Sequence, residues 1–139
     1  MSPFTRLVIP DVLLEEMIAH ARRERPNECC GLLAGAIDGD AGRVTTRFPI
    51  GNDAASPTEY STNPRDLLNA FRALRHANIE LLAFYHSHPT SAAVPSAKDI
   101  ARNTYGETVV HVIVGLVDDV PDVRAWWFTE SGYRPAEWP

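Results

Sequence analysis

The spacing of apolar residues changes along this chain, and each change marks an element. Residues 4–9 are apolar and β-branched enough for an opening strand. After Pro10, the residues Leu13, Leu14, Met17, Ile18 and Ala21 recur every three or four positions. That spacing predicts a helix over 11–25 with one buried stripe, and it leaves His20 on the surface. Pro26 and Asn27 turn the chain into a buried strand at 28–37, where Gly31 and Gly35 mark close packing or a bulge. Turn formers at 38–42 predict a hairpin that returns through a strand at 43–50. The stretch 51–63 is again rich in turn formers, with a short strand expected at 58–61.

Asn63-Pro64-Arg65-Asp66 is a helix start, with Asn as cap, Pro at the first position and Asp in the first turn. Leu67, Leu68, Phe71 and Leu74 carry the helix to about Asn78, with His76 in its last turn. A strongly apolar run at 79–85 leads into His86 and His88. A further helix is expected over 97–105, stopped by Gly106, followed by a central strand at 108–116 with His111 on a core or sheet face. A turn at 118–122 and a strand at 123–129 precede a tail that ends irregularly at Pro139. Trp126 and Trp127 alternate on that strand, so at most one is expected in the core. The order βα-ββ-β-α-β-α-ββ is α/β, with helices packed on a curved mixed sheet.

With 139 residues and 15.4 kDa the chain reads as one domain, residues 1–139, large enough to bury a core. Its net charge of −5 argues against nucleic acid as a partner, and the basic cluster at 21–25 suits a helix end. No stretch approaches the roughly 18 apolar residues of a membrane span, and no leader of signal-peptide type opens the chain. Cys29 and Cys30 are adjacent, so they cannot staple distant segments. They read as small buried strand residues in a reducing compartment, which points to the cytoplasm.

The candidate chemistry lies in 84–99, FYHSHPTSAAVPSAKD. His86 and His88 alternate at a strand end, so both imidazoles project from one face. Asp99 follows eleven residues after His88, within reach of a folded-back loop. Two nitrogens and one carboxylate oxygen would leave a fourth tetrahedral position for water, as in catalytic rather than structural zinc sites. Manganese or iron suits the same donors. Ser96 and Asp99 also form S-x-x-D, a capping box for the helix that follows, and a helix start can aim Asp99 at a metal.

Together His86-Ser87-His88-Pro89, six residues, then Ser96-Ala97-Lys98-Asp99 resemble the signature of the JAMM (MPN-plus) metalloproteases. Glu28, in PNECCGLLAG, resembles the upstream glutamate of that family. The resemblance implies a partly barrel-like sheet flanked by helices, with one zinc per chain at its edge. It implies that His86, His88 and Asp99 bind the zinc and that Glu28 takes a proton from water and returns it to the departing amine. Ser96 would donate to the oxyanion, while Ser87, on the opposite face, would support the ligands. The implied activity is hydrolysis after the C-terminal Gly-Gly of a ubiquitin-like or sulfur-carrier protein, by a stand-alone prokaryotic member acting as monomer or homodimer. The segment 56–62 would border the groove for that tail. Two other readings are a non-catalytic MPN-type binding module, whose relatives usually lack a metal ligand, and a zinc hydrolase of small peptides. Zinc deaminases are excluded because no P-C-x-x-C partner motif is present.

Overall fold

In a computed structural model, which describes residues 3–138, the chain runs β1 (Arg6–Val8), α1 (Asp11–Glu24), β2 (Cys30–Asp38), β3 (Ala41–Ile50), α2 (Pro64–His76), β4 (Glu80–His88), α3 (Ala97–Ala101), β5 (Val110–Gly115), β6 (Asp122–Thr129) and β7 (Gly132–Pro135). Met1, Ser2 and the expected chain end at Pro139 lie outside the described residues. The strands form one mixed sheet in the order β1-β3-β2-β4-β5-β6-β7. Most neighbours are antiparallel, while β1 with β3 and β4 with β5 are parallel. The Leu7 N–H donates to the Glu137 carbonyl at 2.9 Å, which brings the tail against β1 and curls the sheet into a half-barrel.

Each face of the sheet has its own apolar layer. On one, α1 presses Met17 and Ala21 against Leu7, Leu33, Tyr85, Val112 and Trp127. On the other, Leu67, Ala70 and Phe71 of α2 cover Cys30, Leu32 and Phe84, and a smaller group joins Ala93, Ile113, Trp126 and Phe128. Strand β4 lies between these layers, which is why its sequence is almost continuously apolar before the histidines. The two expected glycines serve packing. A Cβ on Gly31 would run into the Tyr85 ring, and one on Gly35 would run into the Arg43 carbonyl beside the bulge at Ala34/Gly35.

Five expectations need correction. His20 is not on the surface but 6% exposed, because its Nδ1 meets the Tyr85 hydroxyl at 2.8 Å. Residues 58–61 form no strand; that segment is tied down by side chains, with one isolated bridge between Asn52 and Thr62. Helix α3 ends at Ala101 instead of 105, with Asn103 and Gly106 closing a loop by side-chain hydrogen bonds. The tail contributes β7, a hairpin partner of β6. Both tryptophans are buried: they do alternate, but Phe4 covers Trp127, while the Ala93 carbonyl and Tyr133 cover Trp126.

Candidate metal centre

The end of β4 is held on both sides, with His86 opposite Cys30 of β2 and Ile113 of β5. This fixes the backbone from which both imidazoles leave the same face. Ser87 points the other way and accepts a 2.8 Å hydrogen bond from the Cys29 N–H, locking β4 to the residue after Glu28. Asp99 arrives from α3, in the crossover between the parallel strands. There Ser96 accepts from the Asp99 N–H at 3.1 Å, and Asp99 Oδ2 accepts from the Ser96 N–H at 2.9 Å, completing the expected capping box.

The result is a buried triangle. His86 Nε2 and His88 Nε2 are 3.2 Å apart, and Asp99 Oδ2 is 3.2 Å from the first and 3.1 Å from the second. His88 Nδ1 donates to the Ala92 carbonyl at 2.7 Å, so its Nε2 turns a lone pair inward. Three donor atoms so converged are a group that could hold a metal ion. The spacing suits one: ligands about 2.0–2.1 Å from a tetrahedral ion lie roughly 3.3 Å from each other. His111 does not join the group. It lies on the sheet face as expected, its ring stacked on Phe128 at 3.7 Å between centroids.

Charge is distributed unevenly over this group. Burial by itself would raise the Asp99 carboxyl, but the adjoining His86 and His88 imidazoles outweigh it and hold Asp99 far below the usual carboxylate range. Burial pulls the His86 imidazole down. It acts on His88 too, but there the Asp99 carboxylate and the Ala92 carbonyl win and the imidazole rises. Glu28, 3% exposed, sits just before β2 within electrostatic reach of His88 and Asp99. Burial, opposed by His88, pushes its carboxyl up to about 8, and its Oε1 has no hydrogen-bond partner among the described residues.

Three contributors were not visible in the sequence. Tyr60 stacks on the His86 ring at 4.7 Å between centroids. Asn52 donates to the Glu28 and Glu59 carbonyls and accepts from the Ala54 and Ser61 N–H groups, so one side chain binds the 52–61 strap to the backbone of Glu28. Glu59 closes the strap onto the Asp99 helix through Lys98 at 3.0 Å and Arg102 at 3.3 Å. Local turn chemistry hinted at the Asn52 loop, but no periodicity marks partners this far apart. Beside the triangle, the strap and α3 enclose a cavity of about 550 Å³.

Residues 10–129 match the Prok-JAB family, described as prokaryotic homologs of the JAB domain. The chain is 42% identical over 126 residues to a probable TtuB-protein conjugate cleaving protease of Thermus thermophilus, covering 90% of this chain and 78% of that protein. It is 39% identical over 98 residues to the CysO-cysteine peptidase of Mycobacterium tuberculosis, covering 70% of this chain and 66% of the other. Its fold is similar to a solution structure of a Desulfitobacterium hafniense protein, with a TM-score of 0.86, 34% identity and coverage of 96% and 91%. No helix among the described residues is long and apolar enough to cross a membrane.

Proposed function

This chain belongs to the family of prokaryotic homologs of the JAB domain, and on that premise we propose that it is a zinc-dependent peptidase acting after the C-terminal Gly-Gly of a ubiquitin-like or sulfur-carrier protein. The observation that carries the reading is the buried triangle of His86, His88 and Asp99 with an unpaired carboxyl, Glu28, in electrostatic reach. His86 Nε2, His88 Nε2 and Asp99 Oδ2 would hold the metal. A bound zinc supplies Lewis acidity there, drawing the pKa of water toward neutrality and polarising the scissile carbonyl.

The chain's own groups supply the rest. Glu28 takes one proton from the attacking water and returns it to the amine nitrogen as the C–N bond breaks; its carboxyl, raised to about 8, changes state close to neutral pH. Ser96 Oγ accepts from the Asp99 N–H, which leaves its own proton free to donate to the oxyanion. The 52–61 strap borders the approach, and an extended glycine tail fits where walls stand close. The names of the two relatives support a carrier protein as substrate. The complete donor set speaks against a non-catalytic binding module. We place the enzyme in the cytoplasm because Cys29 and Cys30 are free buried thiols, and read it as one catalytic domain because a single sheet joins its strands.

The test measures metal per chain and cleavage of a Gly-Gly-extended carrier for the wild type, His88→Ala and Glu28→Ala. The expected result is about one zinc in the wild type, its loss in His88→Ala, and retained zinc with kcat lowered about 10²–10⁴-fold in Glu28→Ala. A folded wild type that takes up no zinc, or zinc-loaded protein that leaves every such carrier whole, would sink the proposal.

A further inference from the structure

The cavity beside the metal centre has a floor that nothing above uses. His111 is 3% exposed and neither of its ring nitrogens has a hydrogen-bond partner among the described residues. Its ring lies flat on Phe128 and next to Phe84, and the same cavity is lined by Leu67, Tyr60, Tyr105 and the proposed ligand Asp99. Buried polar atoms are normally paired, and an unpaired one calls for an explanation. A histidine whose whole purpose was packing on Phe128 would be better replaced by an apolar ring. The sheet register sets its backbone between Phe84 and Trp126, and the ring is packed between Phe84 and Phe128, away from any polar partner among the described residues.

Resting on the peptidase reading, we propose that this cavity is a substrate subsite for an uncharged side chain near the cleaved bond, one with an apolar body and a hydroxyl or carboxamide tip that pairs with His111. Three features select that class. The walls are aromatic and aliphatic, which suits an apolar body. A neutral imidazole offers one donor and one acceptor, which matches a hydroxyl or a carboxamide, each of which also donates and accepts. The cations at the rim, Lys98 and Arg102, already share Glu59, so the rim offers no free partner for an anionic side chain. Because Asp99 lines the same space, the side chain that enters it belongs to a residue close to the scissile bond.

The experiment uses the zinc-loaded full chain carrying Glu28→Gln, so that bound peptide is not turned over. Short peptides containing Gly-Gly, with glutamine, tyrosine, leucine or glutamate placed on either side of it, are titrated while the His111 imidazole nitrogens are followed by NMR. Saturable shifts at His111, with glutamine or tyrosine peptides binding about tenfold tighter than leucine or glutamate peptides at one position, are expected. Adding His111→Phe, which keeps the stacked ring, should erase that preference. His111 signals unmoved by every peptide would overturn the subsite, as would an unchanged ranking in His111→Phe. If the variant does not fold, the imidazole shifts decide alone. The two readings also fail separately. Ranked binding at His111 with no cleavage of any Gly-Gly-extended carrier by the wild type supports the subsite and overturns the peptidase. Cleavage without any shift at His111 does the reverse.

Discussion

Tyr85 and His86 are neighbours on β4 and face opposite sides of the sheet, and the two sides treat polar groups in opposite ways. Under α1 the Tyr85 hydroxyl meets His20 Nδ1 at 2.8 Å and an Arg47 N–H at 3.0 Å, and Arg47 reaches on to Glu16 at 3.2 Å. On the other side the unpaired buried atoms among the described residues are Glu28 Oε1, His86 Nδ1 and both ring nitrogens of His111. A satisfied network of this kind rigidifies a fold. Unsatisfied groups lower stability and persist where they serve chemistry. One strand therefore separates a side built for stability from a side built for reaction.

Breaking each side should leave a different signature. On the reactive side Glu28→Gln is expected to lower kcat about 10²–10⁴-fold while chemical denaturation shows stability unchanged or slightly higher, since a buried unpaired acid is removed. Stability clearly lost in that variant would mean that Glu28 is part of the scaffold. On the sealed side Tyr85→Phe leaves His20 Nδ1 without its partner and removes one of the two side-chain contacts of Arg47, at an expected cost of about 1–3 kcal/mol. Zinc content and kcat should stay as in the wild type, and a loss of either would couple the two faces.

Acid sharpens the contrast more gently. Burial first, then Arg47, lower the His20 imidazole to about 4 from 6.5. The unfolded chain then binds more protons between those values, so this contribution is full above pH 6.5 and is lost as pH falls toward 4. His111, lowered to about 3 by burial and then by His86, acts in the same direction. Melting temperature plotted against pH should fall less steeply across that window in His20→Asn than in the wild type; parallel curves would remove His20 from the account. The smallest effect is expected from Glu59→Gln, which opens an exposed clasp. Its melting temperature should match that of the wild type, with a change confined to KM for the carrier.

The sequence disclosed the parts of this fold whose causes are local. Asn63 caps α2 and Pro64 opens it, as the four-residue pattern predicted. The pair Ser96 and Asp99 was readable as a cap and as part of a site, and it forms the cap while Asp99 also joins the triangle. What stayed hidden depends on partners far along the chain. His20 looked exposed because its partner, Tyr85, is 65 positions away and on another element. At most one of Trp126 and Trp127 was expected in the core, because the loop that accepts the Trp126 indole N–H, at Ala93, is irregular. Asn52 looked like one turn former among many, since its value lies in tying four backbone groups that periodicity does not register.

The capping box has one more consequence. Two of the three proposed ligands stand on a central strand locked between neighbours, while the third rides on a helix of five residues whose first turn depends on Ser96. Such a centre would come apart in order, with Asp99 leaving on the short crossover helix while the histidines stay on the strand, so fraying of α3 would set the residence time of a bound ion. Metal exchange would then track the opening of that short helix, and a change to its cap would alter how fast the ion leaves before it altered how tightly the strand holds it.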